Sequence, residues 1–372
     1  MQSIPIYRNL DFLFRWVLLL LVVVQSLSAQ AGPPKAKSHV DRRIEAVSIA
    51  FFLAGNKEYG QSRDTTYLES VRDHFSAWKD HPAVRTAARL RDTKQVWMGA
   101  PANLACHLGE DLVLAPDANA KTAGGSLDFR FTLQEARDFA SELQDFASKS
   151  QFDAFMLEHQ DRFARAEAGL QPLLDRMELS WFSDGFLDSG ENRFQVSVSL
   201  MIGPNNYGVV RKTPKGLLAN PVIGVWSFDE KGYARFGPEV WEVLLHEFSH
   251  PCFNPLIDAH IGLLRAPAQA LAKARSEDFK RTGYGEDGYD DDLIYESLAW
   301  AGAILYTEQH EGRSAAETLT AKVAGRGWTW LPEVIDWMRD AKKAGYFRRD
   351  ARKAMRLLGD VFTRCARHRN RP

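Results

Sequence analysis

The sequence predicts an α+β fold that is mainly helical, and three observations carry the prediction. Apolar residues recur at helical spacing over most of the chain. The period switches to strict alternation at one place, Phe194 to Leu200, and helical spacing resumes beyond Pro238. A small sheet is therefore expected immediately ahead of one particular helix, with helical regions to either side. The organisation expected is an export leader over residues 1–31, a linker over 32–37, a mainly helical region over 38–190 and a second region over 191–372, the last two either separate or continuous.

Ser38 can cap a helix from Val40 to Ala54, where Val40, Ile44, Val47 and Phe51 share one face and Gly55-Asn56 ends it. Tyr67 to Lys79 and Pro82 to Asp92 read as a helical pair, with Pro82 suited to a first turn. A shorter piece is expected around Ala102 to Gly109. Thr132 and Glu135 form a capping-box pattern opening a helix to about Ala147, and an amphipathic stretch follows from Phe152 to about Met177. In the alternating segment Phe194, Val196, Val198 and Leu200 face one side, with Gln195, Ser197 and Ser199 between them. A second strand is read from Val222 to Phe228, bounded by Pro221 and the turn Glu230-Lys231-Gly232. Helices are then expected over Glu239 to His250, Pro267 to Lys280, Leu293 to Glu308, Leu331 to Lys343 and Arg349 to Arg367.

The chain has 372 residues, 45% of them hydrophobic and 26% charged, which is ordinary globular composition with material for a sizeable core. A formal charge of −1 gives no electrostatic footprint for nucleic acid, and no Lys/Arg-rich block suited to phosphate or anionic lipid stands out. Arg8 and Arg15, the apolar run Trp16 to Val24 and the small-residue triplet Ala29-Gln30-Ala31 follow the basic, apolar, small order of an export signal cut near Ala31. That run is too short for a relaxed membrane-spanning helix. A membrane partner is thus expected only if the leader stays uncleaved, and the mature chain is expected in the periplasm or outside the cell. Cys106, Cys252 and Cys365 are too few for a disulfide framework and read as buried small residues, with at most one bridge.

The chemistry sits in Val243-Leu244-Leu245-His246-Glu247-Phe248-Ser249-His250. Residues four apart stack on one helical face, so His246 and His250 aim two imidazoles at one point, where Zn2+ takes nitrogen ligands at about 2.0–2.1 Å. Glu247 lies about 100° further round, placed to activate water as a general base. A third ligand is needed, and position 256 is Leu, so a third His six residues on is excluded. Asp258, His260 and Glu296 remain. Glu296 is preferred because Ala299 and Ala303, on its own face, would let its helix approach closely. The acidic loop Gly283 to Asp292 does not follow the EF-hand order. Tyr284, Tyr289, Tyr295, Tyr306 and His260 are candidates for steadying an oxyanion.

An HExxH followed tens of residues later by a helical Glu resembles the Glu-zincin (gluzincin) branch of metallopeptidases. Val40-Asp41-Arg42-Arg43-Ile44-Glu45, Phe52-Leu53-Ala54-Gly55-Asn56, Tyr59, Lys79-Asp80-His81-Pro82-Ala83-Val84 and Asn254-Pro255-Leu256-Ile257-Asp258 extend the likeness. Together they look like an uncharacterised bacterial family, the DUF4932 domain of unknown function, grouped with zincin-like peptidases. The resemblance covers about Val40 to Tyr306. It implies a zincin-like fold and an exported zinc hydrolase acting on peptides or proteins. A non-catalytic zincin scaffold or an amide hydrolase of cell-wall or other non-peptide substrates are the alternatives. Two departures stand out: Trp300 occupies the place where thermolysin-like relatives carry an Asp that orients a zinc His, which turns attention to Asp258 or Asp290-Asp291-Asp292 as its replacement, and Pro251 should end or kink the helix at His250. Val222 to Phe228 is the strand expected to offer an edge to an extended peptide.

Overall fold

The computed structural model describes residues 34–119, 126–186, 192–284 and 291–367. The leader, the loop tip with Gly124-Gly125 and most of the acidic loop, including Tyr289 and Asp290, lie outside the described residues. In chain order the elements are β1 (Ser38–His39), α1 (Arg42–Leu53), α2 (Thr65–Phe75), α3 (Pro82–Lys94), α4 (Gly99–Cys106), α5 (Leu133–Lys149), α6 (Phe152–Glu158), α7 (Gln160–Asp175) and α8 (Ser180–Phe186). Four strands follow: β2 (Arg193–Phe194), β3 (Val196–Ser199), β4 (Asn206–Thr213) and β5 (Gly216–Gly224). The rest is helical: α9 (Glu239–Ala274), α10 (Ser276–Arg281), α11 (Asp291–His310), α12 (Arg313–Gly325), α13 (Leu331–Lys343), α14 (Tyr346–Arg349) and α15 (Ala351–Arg367). Mainly helical with a small, mostly parallel sheet is therefore the architecture. The described residues from Lys35 onward belong to one compact unit, built on a hydrophobic core shared by helices from both halves of the chain.

Local chemistry explains several helix starts. The Thr132–Glu135 capping box forms, each side chain bonding the other's backbone N–H. Helix α1 starts later than expected, because Asp41 and not Ser38 caps it: the Asp41 carboxylate accepts the Arg43 N–H at 2.9 Å. Ser38 instead pairs in β1, its hydroxyl donating to the Glu167 carbonyl.

The sheet differs from expectation in an instructive way. β2 and β3 keep one register against β5 (Arg193 with Leu218, Ser197 with Val222), so they are one parallel strand interrupted opposite Pro221, which offers no N–H. β5 runs Gly216–Gly224, earlier than the strand read at Val222 to Phe228, and is flanked by β2 and β3 on one side and by antiparallel β4 on the other. It is a central strand and offers no edge. β4, which alternation missed because Gly208 and the Val209-Val210 pair break it, takes that position. Ser197 and Ser199 are fully buried, since the face opposite the apolar one is covered too: Ser199 donates to Glu45 on α1, and Ser197 donates to Asn220.

The largest departure is α9. Pro251 is expected to end or kink the helix, and it does not end it: α9 runs 36 residues through Pro251, Pro255 and Pro267, about 54 Å at the helical rise. Each internal proline forfeits a backbone bond to the carbonyl four residues back. Burial offsets that cost: Cys252, Phe253, Ile257, Leu264, Ala268 and Leu271 are at most 1% exposed, packed chiefly among α11 and α15.

Candidate metal centre

Helix α9 is held on two sides by glycines. On β4, a Cβ at Gly208 would stand 2.4 Å from the His250 Cβ and 2.8 Å from the Glu247 carbonyl oxygen, the carbonyl that Pro251 leaves without its helical partner. On α11, a Cβ at Gly302 would stand 2.7 Å from both Ser249 Oγ and Phe253 Cε2. Only glycine permits either approach. Ala299 and Ala303 are buried as the small-residue argument required, but Gly302 marks the tightest contact.

These contacts bring Glu296 over the motif. His246 Nε2 lies 3.1 Å from Glu296 Oε2, His250 Nε2 lies 3.5 Å from Glu296 Oε1, and the two Nε2 atoms are 3.1 Å apart. Among the described residues these three form the one group of His, Cys, Asp or Glu side chains arranged to hold a metal ion. Ligands about 2.0–2.1 Å from a tetrahedral centre stand about 3.3–3.4 Å from one another, so edges of this length fit zinc. The polar atoms fit the same reading: Glu296 Oε2 meets the His246 Nε2 at 3.1 Å without a hydrogen bond of regular geometry, as two ligands of one ion would. A buried His-His-Glu group able to hold a metal ion is thus present, and its donor set suits zinc.

Burial and mutual charge set the protonation here. Burial works to lower the His246 ring, but the adjacent Glu296 carboxylate outweighs it and holds the ring above its ordinary value. His250 goes the other way, pushed down to about 4 by burial. Burial would raise Glu296, but His250 and His246 hold it below the usual range. Glu247 is pushed up to about 7 by burial, with the Glu296 charge adding to the push. A cation held between the rings would pull it back down.

A family model described as a domain of unknown function (DUF4932) matches residues 38–346. The chain belongs to this family. No curated protein and no solved structure matches it significantly. The matched segment takes in the whole sheet, α9 and α11, and stops before α15.

Of the residues named from sequence, His246, Glu247, His250 and Glu296 share this family core at one place. The rival third ligands stay outside the triad because α9 does not break: eight residues of uninterrupted helix carry Asp258 about 12 Å beyond His250, and His260 is further still. Asp258 accepts the Tyr295 hydroxyl at 2.5 Å, so it braces the residue before Glu296, and the His260 Nδ1 bonds the Leu256 carbonyl. Asp291 pairs with Arg265. The orienting of the rings falls to residues the sequence reading did not choose. Trp300 packs against His246, ring centres 4.3 Å apart, while the His246 Nδ1 is buried without a hydrogen-bond partner. Asn254 meets the His250 Nδ1 at 3.3 Å. The four-residue spacing that pairs the histidines also pairs His250 with Asn254, and that signal was legible. Among the tyrosines, Tyr306 accepts the Glu178 N–H, whereas Tyr284 stands beside Glu296, whose charge and the local burial hold its phenol well above normal. Cys106, Cys252 and Cys365 are all free and buried.

Proposed function

We propose that the chain is a zinc-dependent peptidase of the zincin type that acts after export, the segment up to about Ala31 serving as its leader. The observation that carries this reading is the triangle His246–His250–Glu296 with Glu247 beside it on the same helix. A mixed sheet whose antiparallel outer strand, β4, lies against the ligand-bearing turn supports it further. His246, His250 and Glu296 would hold the metal. When bound, zinc supplies Lewis acidity, acidifying water and polarising a carbonyl. Glu247 takes the proton from water as its oxygen adds to the peptide carbonyl carbon, and delivers it to the amine nitrogen as the C–N bond breaks. The outer edge of β4 is the bench on which an extended substrate would pair through its backbone.

Glu247→Gln tests the reading. Hydrolysis of a mixed peptide library should fall by about 10²–10⁴-fold with metal content unchanged. A variant as active as the parent sinks the assignment. One observation favours a non-catalytic scaffold instead: His246 and His250 are only 6% and 7% exposed, the burial of a structural metal site. Stripping the metal separates the two, since a peptidase should stay folded but inactive and a metal-built scaffold should unfold.

A further inference from the structure

The chain as a whole is almost neutral, with a formal charge of −1, but that balance is not uniform in space. Helix α15 buries Ala354, Met355, Leu358, Val361, Phe362 and Cys365, and it packs along α9, the helix that carries the histidines. Gly359 marks how close the two are: a Cβ there would stand 3.1 Å from the Leu263 carbonyl oxygen. Its other face is exposed and mostly cationic, with Arg352, Lys353, Arg356, Arg364 and Arg367 around the acid Asp360, and the exposed Leu357 at its border. At 100° per residue these side chains fall within an arc of about 120°. Arg348 and Arg349, exposed on α14, add the same sign ahead of α15, with the exposed Asp350, which caps α15, between them and Arg352. Among the described residues, Arg352, Arg356, Arg364 and Arg367 form no ion pair, unlike Arg265 with Asp291 or Arg339 with Glu308. Linear reading overlooked the concentration because apolar residues interleave with the cations; folding sorts them onto opposite faces.

We propose that the outward face of α15 docks on an anionic phospholipid surface. Charge complementarity selects the occupant: a stripe of guanidinium groups about 22 Å long meets a plane of headgroup phosphates at several points at once. The apolar face of the helix is already spent on α9, so the contact is electrostatic and lies flat, without insertion. Nucleic acid is the weaker fit, because the one ring at the stripe, the half-buried Tyr346, is already covered by the Lys353 ammonium 4.4 Å from its centre and is not open for bases to stack on. Docking through a helix fixed to α9 would hold the metal centre at a set distance from the bilayer. The family match ends at residue 346, so this surface is an addition to the matched segment.

The test is sedimentation of the full chain with vesicles of phosphatidylcholine alone or mixed with phosphatidylglycerol, at low and high salt. Binding should require phosphatidylglycerol and be lost at high salt, where surface charges are screened. The triple variant Arg352→Glu, Arg356→Glu, Arg364→Glu should lose it by on the order of a hundredfold. Arg352→Gln, Arg356→Gln, Arg364→Gln should show a smaller loss, and both variants should keep the parent's melting temperature. Equal binding to both vesicle types overturns the proposal, and so does a charge-reversed variant that keeps its preference for phosphatidylglycerol. Duplex DNA that binds more tightly than the vesicles and displaces them overturns it as well.

Discussion

Two carboxylate clusters among the described residues, at Glu45 and at Glu296, are built on opposite principles. Glu45, fully buried on α1, accepts the Tyr67 hydroxyl on one oxygen and the Ser199 hydroxyl on the other, each at 2.8 Å. That cluster is closed: neutral donors from the protein satisfy the acid. Glu296 faces two ring nitrogens as well as the Tyr284 hydroxyl, yet its Oε2 and the His246 Nδ1 are left without a hydrogen bond of regular geometry. Buried atoms without a hydrogen bond occur elsewhere too, as at Glu142 Oε2 and the Tyr207 hydroxyl; what sets Glu296 apart is that two imidazoles converge on it, the arrangement that can take a metal ion.

The comparison can be pressed through pH. Burial pushes Glu45 up to about 7 from an ordinary 4.5. The folded state therefore binds this proton more tightly than the unfolded chain does. Its contribution to stability is fully present below about pH 4.5 and is lost as pH rises through 7. Glu45→Gln removes the titration, so its stability relative to the parent should rise across that window, by about 3 kcal/mol at most. Denaturant unfolding at pH 5 and pH 8, about half a unit above the ordinary value and about one above the shifted one, reads it out. A difference between parent and variant that does not change with pH would show that Glu45 is not held protonated. Metal content should be the same in both.

The next effect sharpens the open cluster. Trp300→Ala removes the ring that backs His246 and should weaken zinc binding by about 10–100-fold, the usual cost of losing a group that orients a ligand. Competition with a chromogenic chelator measures it, and unaltered affinity would mean that the helix alone orients the ring. Asn254→Ala should cost less, under about tenfold, because its contact with the His250 Nδ1 is long at 3.3 Å.

The open cluster was legible in the sequence to the extent that its geometry is local. Residues 246, 247 and 250 lie on one helix, where spacing alone determines direction, and the small residues around Glu296 signalled a close helix pair. What failed was non-local. Prolines 251 and 255 read as a break because their cost is intrinsic, whereas the burial that outweighs it comes from α11 and α15. β4 escaped because its pattern is set by contact with α9 at Gly208 rather than by its own alternation. Helices α8 and α12 were missed, and the Glu45 cluster was invisible because its donors come from α2 and β3, far apart in the chain.

Metal content of the purified full chain, measured after dialysis against zinc and then metal-free buffer, goes most directly to the open cluster. About one zinc ion per chain is expected for the parent, and essentially none for His246→Ala or Glu296→Ala, with both variants still folded. A parent that retains no zinc, or variants that retain as much as the parent, would contradict the account.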